Sequence, residues 1–151
     1  MTSRLLPPSK ESWWTFLSKQ TRTAQDAWLY SLGDDVHAFE EDWFYKLRRE
    51  QFEPEEPDWD IWYINAGRGF GKTLAGSIFI NNRVKEALNG RIALIAPTAG
   101  DTRDVMVEGP TGILATASKD NRPEYQPSLR KLTWPNGAEA HLYSSEEPER
   151  L

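Results

Sequence analysis

The stretch Ile61–Thr73, which reads I-W-Y-I-N-A-G-R-G-F-G-K-T, decides the fold of this chain. Its apolar first half is typical of a strand, and a glycine-rich turn follows that ends in Gly71-Lys72-Thr73. The residues after the turn, Leu74 to Ile80, have a helical pattern. A strand, a glycine loop ending in Lys-Thr and a helix form the context in which a phosphate-binding P-loop is credible. The sequence therefore predicts a nucleotide site at this turn.

The residue types of the loop suit the binding of phosphate. Gly67, Gly69 and Gly71 can adopt backbone angles that are closed to residues with a Cβ, so consecutive N–H groups can turn inward as an anion nest. The following helix directs its N–H groups and the positive end of its dipole to the same point. We expect Lys72 to reach the β- and γ-phosphates of a bound nucleotide and the Thr73 hydroxyl to ligate Mg²⁺.

The loop departs from the usual P-loop sequence motif, G-x-x-x-x-G-K-[ST], at one position. Ala66 stands where the first glycine is usual, and it is small enough for the same tight turn; Phe70 occupies the last variable position. The alternative interpretation is an ordinary strand-to-helix glycine turn with a surface lysine at Lys72.

Composition excludes several classes of protein. The 151 residues carry a net charge of −5 and contain no cysteine, which excludes disulfides, cysteine-zinc sites and thiol catalysis. The two histidines, His37 and His141, are too few and too isolated to indicate a metal site. The sequence has no apolar leader and no run of 18 apolar residues, so we expect a soluble intracellular protein without membrane contact.

The chain divides into a helical region at residues 1–57 and an α/β region at residues 58–151. The first region is predicted to hold helices at 12–32 and 36–51, followed by an acidic, proline-punctuated linker. Its many aromatic residues favour a packing face over a platform for base stacking.

The second region is predicted to be a parallel-sheet βαβ core. Its central strand, Trp59 to Asn65, is expected to be buried on both faces. The other predicted elements are a helix at 72–88, a strand at 91–97, a helix at about 98–108, a helical turn at 113–117, a loop at 120–127, and strands at 129–134 and 138–143. The last two form a hairpin around Pro135-Asn136-Gly137.

Five stretches together resemble the large terminase subunits of tailed bacteriophages and prophages, the ATP-driven motors that package DNA into procapsids. They are Trp62–Thr73, Arg91–Thr98, Asp104–Gly109, Leu132–Gly137 and Ser145–Pro148. The resemblance covers about residues 48–151 and implies the P-loop NTPase fold. It also implies double-stranded DNA, portal protein and terminase small subunit as partners of the full-length protein, a homo-oligomeric ring, and the cytoplasm of the bacterial host.

The resemblance implies roles for two further residues. Gln51 matches the glutamine that hydrogen-bonds the adenine base in this family, although it can also be simply a polar residue that ends a helix. Arg68 matches a loop arginine proposed to reach the γ-phosphate as a finger supplied in cis, since a guanidinium can neutralise charge on transferring phosphoryl oxygens. The alternative is that Arg68 props the loop through carbonyl or carboxylate contacts.

The same family carries a Walker B strand ending in Asp-Glu, a coupling motif and a metal-dependent nuclease domain that cuts concatemeric DNA. These residues contain none of them, so we expect an incomplete ATPase fold, without the nuclease domain, that binds ATP weakly and does not hydrolyse it. Two alternatives stay open. One is a non-catalytic nucleotide-binding or assembly module related to terminase, and the other is a different P-loop ATPase, such as a helicase.

Overall fold

The computed structural model describes residues 12–32, 43–54, 59–87 and 89–147, and the chain forms two compact units, residues 1–65 and 66–151. In the described ranges, every helix is too short or too polar to cross a membrane.

Two short helices come first among the described residues of unit 1. They are α1 (Trp13–Ser18) and α2 (Arg22–Leu32). The indole rings of Trp13 and Trp28 stack with their centroids 5.3 Å apart, so this aromatic pair packs α1 against α2.

The prediction of one continuous helix over residues 12–32 is wrong, because the chain breaks between α1 and α2. Thr21 directly precedes the second helix, and its hydroxyl accepts a hydrogen bond from Ala24 N–H (3.3 Å). The side chain of Gln25 donates to the carbonyl of Leu17 (2.8 Å), which also accepts from Gln20 N–H (2.9 Å) at the end of α1. Local side-chain capping therefore replaces one long helix by two short ones.

The structure differs from the predicted helix at 36–51 in the part of that range that is described. Residues 33–42 lie outside the described residues, whereas Trp43–Lys46 and Arg49–Gln51 form two separate 3₁₀ turns. Leu47, which lies between the two turns, is only 2 % exposed, and Gln51 in the second turn is 4 % exposed. The segment is therefore buried at these two positions without forming a continuous helix.

The prediction of a central strand from Trp59 to Asn65 is also wrong. These residues have irregular backbone and pair with no strand in the described part of the chain. Ile61 is 83 % exposed and Tyr63 is 79 % exposed. An apolar run forms a buried strand only where neighbouring strands and covering helices complete its hydrogen bonds and burial, and that environment is not formed around this segment.

Unit 2 consists of one long helix, a four-stranded sheet and several short helical segments. In chain order they are α3 (Lys72–Glu86), β1 (Arg91–Ala96), α4 (Ala99–Asp101), a π-helical segment (Thr102–Val107), α5 (Ile113–Thr116), a 3₁₀ turn (Lys119–Asn121), β2 (Glu124–Gln126), a 3₁₀ turn (Pro127–Leu129), β3 (Lys131–Thr133) and β4 (Glu139–Ser144). The predicted helix after the loop, the strand at β1 and the β3–β4 hairpin are confirmed. Strand β2 lies in the predicted loop at 120–127.

The sheet has the strand order β1-β4-β3-β2. Strands β1 and β4 are parallel, with Leu94 opposite Leu142, whereas β3 is antiparallel to both β4 and β2. Alternate side chains of these strands enter the core, which also takes residues from α3, the π-helical segment and α5. Its buried members are Val84, Leu94, Val107, Ile113, Leu132, Trp134, Ala138, Ala140 and Leu142.

Candidate functional site

The predicted phosphate loop is an open turn at the start of α3. Gly69 has a φ of +81° and Gly71 a φ of +89°, both in the left-handed region that favours glycine. A weak turn hydrogen bond joins Phe70 N–H to the carbonyl of Gly67 (3.4 Å). A Cβ added at Gly67 or Gly69 would meet no atom within 4 Å, so the loop leaves open space around its glycines.

Helix α3 begins without a side-chain cap. Its first residue follows Gly71, and the first helical hydrogen bond runs from Ala75 N–H to the carbonyl of Gly71 (3.0 Å). The backbone N–H groups of Lys72, Thr73 and Leu74 have no hydrogen-bond acceptor within residues 59–87 and 89–147 or the other described ranges. Three adjacent donors at the positive end of a 15-residue helix form a site that favours an anion.

The ammonium group of Lys72 lies over the loop. Its Nζ donates hydrogen bonds to the carbonyl oxygens of Ala66 (2.9 Å) and Gly67 (3.0 Å). These carbonyls therefore fix the lysine on the same turn that exposes the three N–H groups. Because the two hydrogen bonds are exposed, phosphate oxygens can replace them at little cost.

Two other loop positions are available for a ligand. The guanidinium of Arg68 is exposed, and it has no hydrogen-bond or ion-pair partner in the part of the chain that the structure describes. Within the described residues, the loop carbonyls of Ala66 and Gly67 bind Lys72 and not Arg68. Thr73 is half-buried, and its hydroxyl makes no hydrogen bond with another described residue.

Gln51, the predicted adenine contact, belongs to unit 1. It is only 4 % exposed, and its side-chain Oε1 accepts a hydrogen bond from Arg48 N–H (2.9 Å) at the start of its own 3₁₀ turn. The side-chain oxygen of Gln51 thus has a local capping role. A contact between this residue and adenine stays a prediction.

The end of α3 that is far from the loop contacts the β3–β4 hairpin. The last turn of α3 lies at the amino end of β4, because Asn136 on the hairpin donates to the carbonyl of Val84, and Glu139 N–H donates to the carbonyl of Gly90 (2.8 Å). The 15 residues of α3 span about 22 Å and a six-residue strand about 20 Å, so the two have matching lengths. The loop before the first turn of α3 therefore lies a helix length away from this contact with the amino end of β4.

A buried polar network holds α3 in this position. The side-chain amide of Asn81 donates to the carbonyl of Ile113 (3.1 Å) and to the hydroxyl of Thr116 (2.9 Å), and its Oδ1 accepts from the indole of Trp134 (3.4 Å). Sequence reasoning missed this network and assigned Trp134 only to the hairpin. The sequence did contain one signal for this network, because Asn81 is a polar residue on a helix whose nearby apolar residues face the core.

The structure gives no alternative metal centre. Within the described residues, no group of three or more histidine, cysteine, aspartate or glutamate side chains is placed to hold a metal ion. The donors available to a Mg²⁺ ion that arrives with phosphate are the Thr73 hydroxyl and the oxygens of that phosphate, which are the hard oxygen ligands that Mg²⁺ prefers.

The clearest electrostatic effects lie away from the loop. A hydrogen bond from Lys131 lowers the pKa of the Glu139 carboxyl on the sheet, and the pair is 2.9 Å apart. A hydrogen bond from Arg103 likewise lowers the pKa of the Asp104 carboxyl. Burial raises the pKa of the Tyr125 hydroxyl.

The comparisons with known proteins place the chain in a family. The family model described as terminase large subunit, T4likevirus-type, N-terminal, matches residues 63–150. The match includes the whole loop of residues 66–73 and all of unit 2 except the last residue, whereas Gln51 lies outside it. Neither the curated proteins nor the solved structures gave a match.

Proposed function

This chain belongs to the family of terminase large subunits, and from that premise we propose that it binds Mg·ATP at the loop of residues 66–73. One observation carries the proposal: α3 begins with the unbonded N–H groups of Lys72, Thr73 and Leu74, and the ammonium of Lys72 lies on the same turn. This arrangement presents one charge and three aligned donors to a phosphate.

In the proposed complex each loop residue has a distinct task. The N–H groups of the loop and of the first turn of α3 bind the phosphate oxygens, and Lys72 exchanges the carbonyls of Ala66 and Gly67 for the β- and γ-phosphates. Arg68 is exposed and without a protein partner in the described ranges, so it is free to approach the γ-phosphate and balance its charge. The Thr73 hydroxyl ligates Mg²⁺, which neutralises charge on the phosphates when bound.

The same proposal assigns base recognition to Gln51. Its Oε1 is held by Arg48 N–H, so the side-chain amide has a fixed orientation. A side-chain amide is a hydrogen-bond donor as well as an acceptor, which suits the edge of adenine.

The wider role follows from the family. We propose that the chain acts within a terminase large subunit that powers packaging of double-stranded DNA, together with portal protein and small subunit, as a homo-oligomeric ring in the cytoplasm of the host. The match to terminase large subunits over residues 63–150 disfavours the helicase-like alternative, because it includes the hairpin and the Ser145–Pro148 element as well as the loop.

A thermal-shift titration tests the proposal. A ligand that binds only the folded state at 100 times its Kd stabilises that state by about 2.7 kcal/mol, so Mg·ATP is expected to raise Tm by several degrees. Mg²⁺ alone and Mg·AMP, which lacks the β- and γ-phosphates, are the controls. A Tm that rises equally with Mg·AMP would contradict binding of the β- and γ-phosphates at the loop.

A further inference from the structure

A second candidate site lies at the carboxyl edge of the sheet, and no residue of the loop lines it. The Arg130 cavity has a volume of about 210 Å³ and is open to solvent. Its polar lining consists of Arg103, Tyr125, Arg130 and Tyr143, and the other lining residues are Thr102 and small or apolar side chains. The cavity includes residues that follow the carboxyl end of β1 and the next-to-last residue of β4, which places it at the carboxyl edge.

The lining of the Arg130 cavity has hydrogen-bond donors without protein acceptors. Arg130 has five N–H donors, and a single hydrogen bond, from Nη1 to Glu147 (2.9 Å), accounts for one of them in the described part of the chain. The hydroxyls of Tyr125 and Tyr143 make no hydrogen bond with any described residue. No carboxylate lines the cavity. A ligand rich in acceptor oxygens satisfies this set, whereas a cation or an apolar group does not.

The backbone holds Arg130 in an uncommon conformation. Its φ of +49° and ψ of +47° are left-handed, which is unfavourable for a residue with a Cβ. Two hydrogen bonds fix it there, from Arg130 N–H to the carbonyl of Pro127 (3.1 Å) and from Leu142 N–H to the carbonyl of Arg130 (2.9 Å). Non-glycine residues held in such conformations concentrate at ligand sites. The backbone that carries the guanidinium is therefore held in place by hydrogen bonds.

The carboxylate of Glu147 occupies one position on the guanidinium. The ion pair is partly exposed, with 38 % of the Arg130 side chain and 37 % of the Glu147 side chain accessible, and pairs of this kind stabilise a fold very little. A planar guanidinium binds carboxylate and phosphate with the same geometry. A phosphate can therefore replace Glu147 and use the remaining donors of the cavity as well. Arg103 contributes less, because Asp104 holds its Nε and Nη2.

We propose that the Arg130 cavity is a phosphate-binding subsite, with Arg130 as the principal ligand, the Tyr125 and Tyr143 hydroxyls as supporting donors and Glu147 as an internal competitor. The phosphate group comes either from a free phosphate compound or from the phosphodiester backbone of a nucleic acid. The subsite does not depend on nucleotide binding at the loop of residues 66–73.

Calorimetric titration tests the proposal on the 151-residue chain carrying Lys72→Ala, which removes the contribution of the loop. The probes are pyrophosphate and a short oligothymidylate at low salt. Arg130→Gln is expected to weaken binding at least roughly tenfold, and Tyr125→Phe and Tyr143→Phe roughly two- to fivefold each. Glu147→Gln is expected to strengthen binding roughly threefold, because it removes the competing charge.

Two control variants distinguish a loss of phosphate binding at the cavity from a loss of folding and from a general loss of positive charge. Arg130→Gly removes the guanidinium and relieves the left-handed conformation, so it is expected to fold well and to bind as weakly as Arg130→Gln. Arg91→Gln removes an exposed arginine of β1 outside the cavity and is expected to change binding less than roughly twofold.

The two probes distinguish the sources of phosphate. If only the oligonucleotide binds, the ligand is a nucleic-acid backbone, and if only pyrophosphate binds, it is a free phosphate compound. If both probes bind and the variants rank in the same order of affinity for each, the subsite accepts any phosphate group. The proposal is overturned if neither probe binds, if Arg91→Gln weakens binding as much as Arg130→Gln, or if Glu147→Gln weakens binding.

Discussion

The indole N–H of Trp134 donates to the side-chain oxygen of Asn81, 3.4 Å away, and both side chains are buried. Asn81 lies in the third turn of α3, the helix that begins at the phosphate loop, and Trp134 opens the turn between β3 and β4. The hairpin is thereby fastened to the helix that carries the loop. A second bond, from Asn136 to the carbonyl of Val84, fastens the same hairpin to the end of α3.

Removing Asn81 is expected to destabilise the fold. Asn81→Ala leaves the indole of Trp134 and the carbonyl of Ile113 buried without that partner, at a cost of about 2–4 kcal/mol in the free energy of unfolding. Urea unfolding measures the change. The neighbouring Asn82, which makes no such hydrogen bonds, is the control, and Asn82→Ala should change the free energy by less than about 0.5 kcal/mol. Equal effects of the two substitutions would show that the network contributes nothing.

Two glycines at the start of α3 are expected to respond in opposite ways to alanine. Gly71→Ala forces a Cβ into a φ of +89° and should lower the free energy of unfolding by about 1 kcal/mol or more, and it should weaken ATP binding. Gly76→Ala, inside α3 with open space around it, should raise the free energy of unfolding by about 0.5–1 kcal/mol. Thermal unfolding of the two variants checks both signs. A stabilised Gly71→Ala would refute the proposed strain in the loop.

Base selectivity tests the proposed role of Gln51. Gln51→Glu keeps an oxygen that accepts from Arg48 N–H and loses the amide donor, so it should reduce the preference for ATP over CTP. Gln51→Ala should lower both stability, by about 1 kcal/mol, and the preference. The measurement is the ratio of the ATP and CTP dissociation constants for each variant. If the ratio is the same in all three proteins, Gln51 acts only as a cap.

The pH dependence of the free energy of unfolding should reflect the interactions of Glu139 with Lys131 and His141. The hydrogen bond from Lys131, with a smaller contribution from His141, lowers the pKa of the Glu139 carboxyl in the folded state. Because the folded-state pKa is lowered, the ionised Glu139 carboxyl contributes to the free energy of unfolding. That contribution is fully present above the unfolded glutamate pKa of about 4.3 and is lost as pH falls through the folded-state pKa. Stability against urea should therefore decline more steeply below about pH 4 in the wild type than in Glu139→Gln. Parallel declines in the two proteins would contradict the assignment.

Local patterns predicted much of unit 2. The glycine loop, α3, β1 and the hairpin turn depend on residues close in sequence, such as the left-handed Gly69 and Gly71 and the Pro135-Asn136-Gly137 turn, which is why the sequence was sufficient for them. The parallel pairing of β1 with β4 was not predicted, because it joins residues far apart in the chain.

The incorrect predictions have a common physical cause. The segment Trp59 to Asn65 has the composition of a buried strand, but a strand needs partners that composition does not specify. Similarly, the caps at Thr21 and Gln25 divided a helix whose apolar periodicity was continuous. For the site, the loop residues were evident from spacing, whereas Asn81 and Arg130 depend on tertiary contacts and on a backbone angle that no spacing encodes.

Calorimetric titration of the wild-type chain with Mg·ATP tests the central claim most directly, with Lys72→Ala and Lys85→Ala as a matched pair on α3. Lys72 lies on the loop, whereas Lys85 is exposed in the last turn of the same helix. The wild type and Lys85→Ala are expected to bind Mg·ATP with one site and similar affinity, and Lys72→Ala to bind at least roughly 30-fold more weakly, because a charge-assisted contact to phosphate is lost. Absence of binding by the folded wild type, or equal affinity of Lys72→Ala, would contradict the claim that this loop is a nucleotide site.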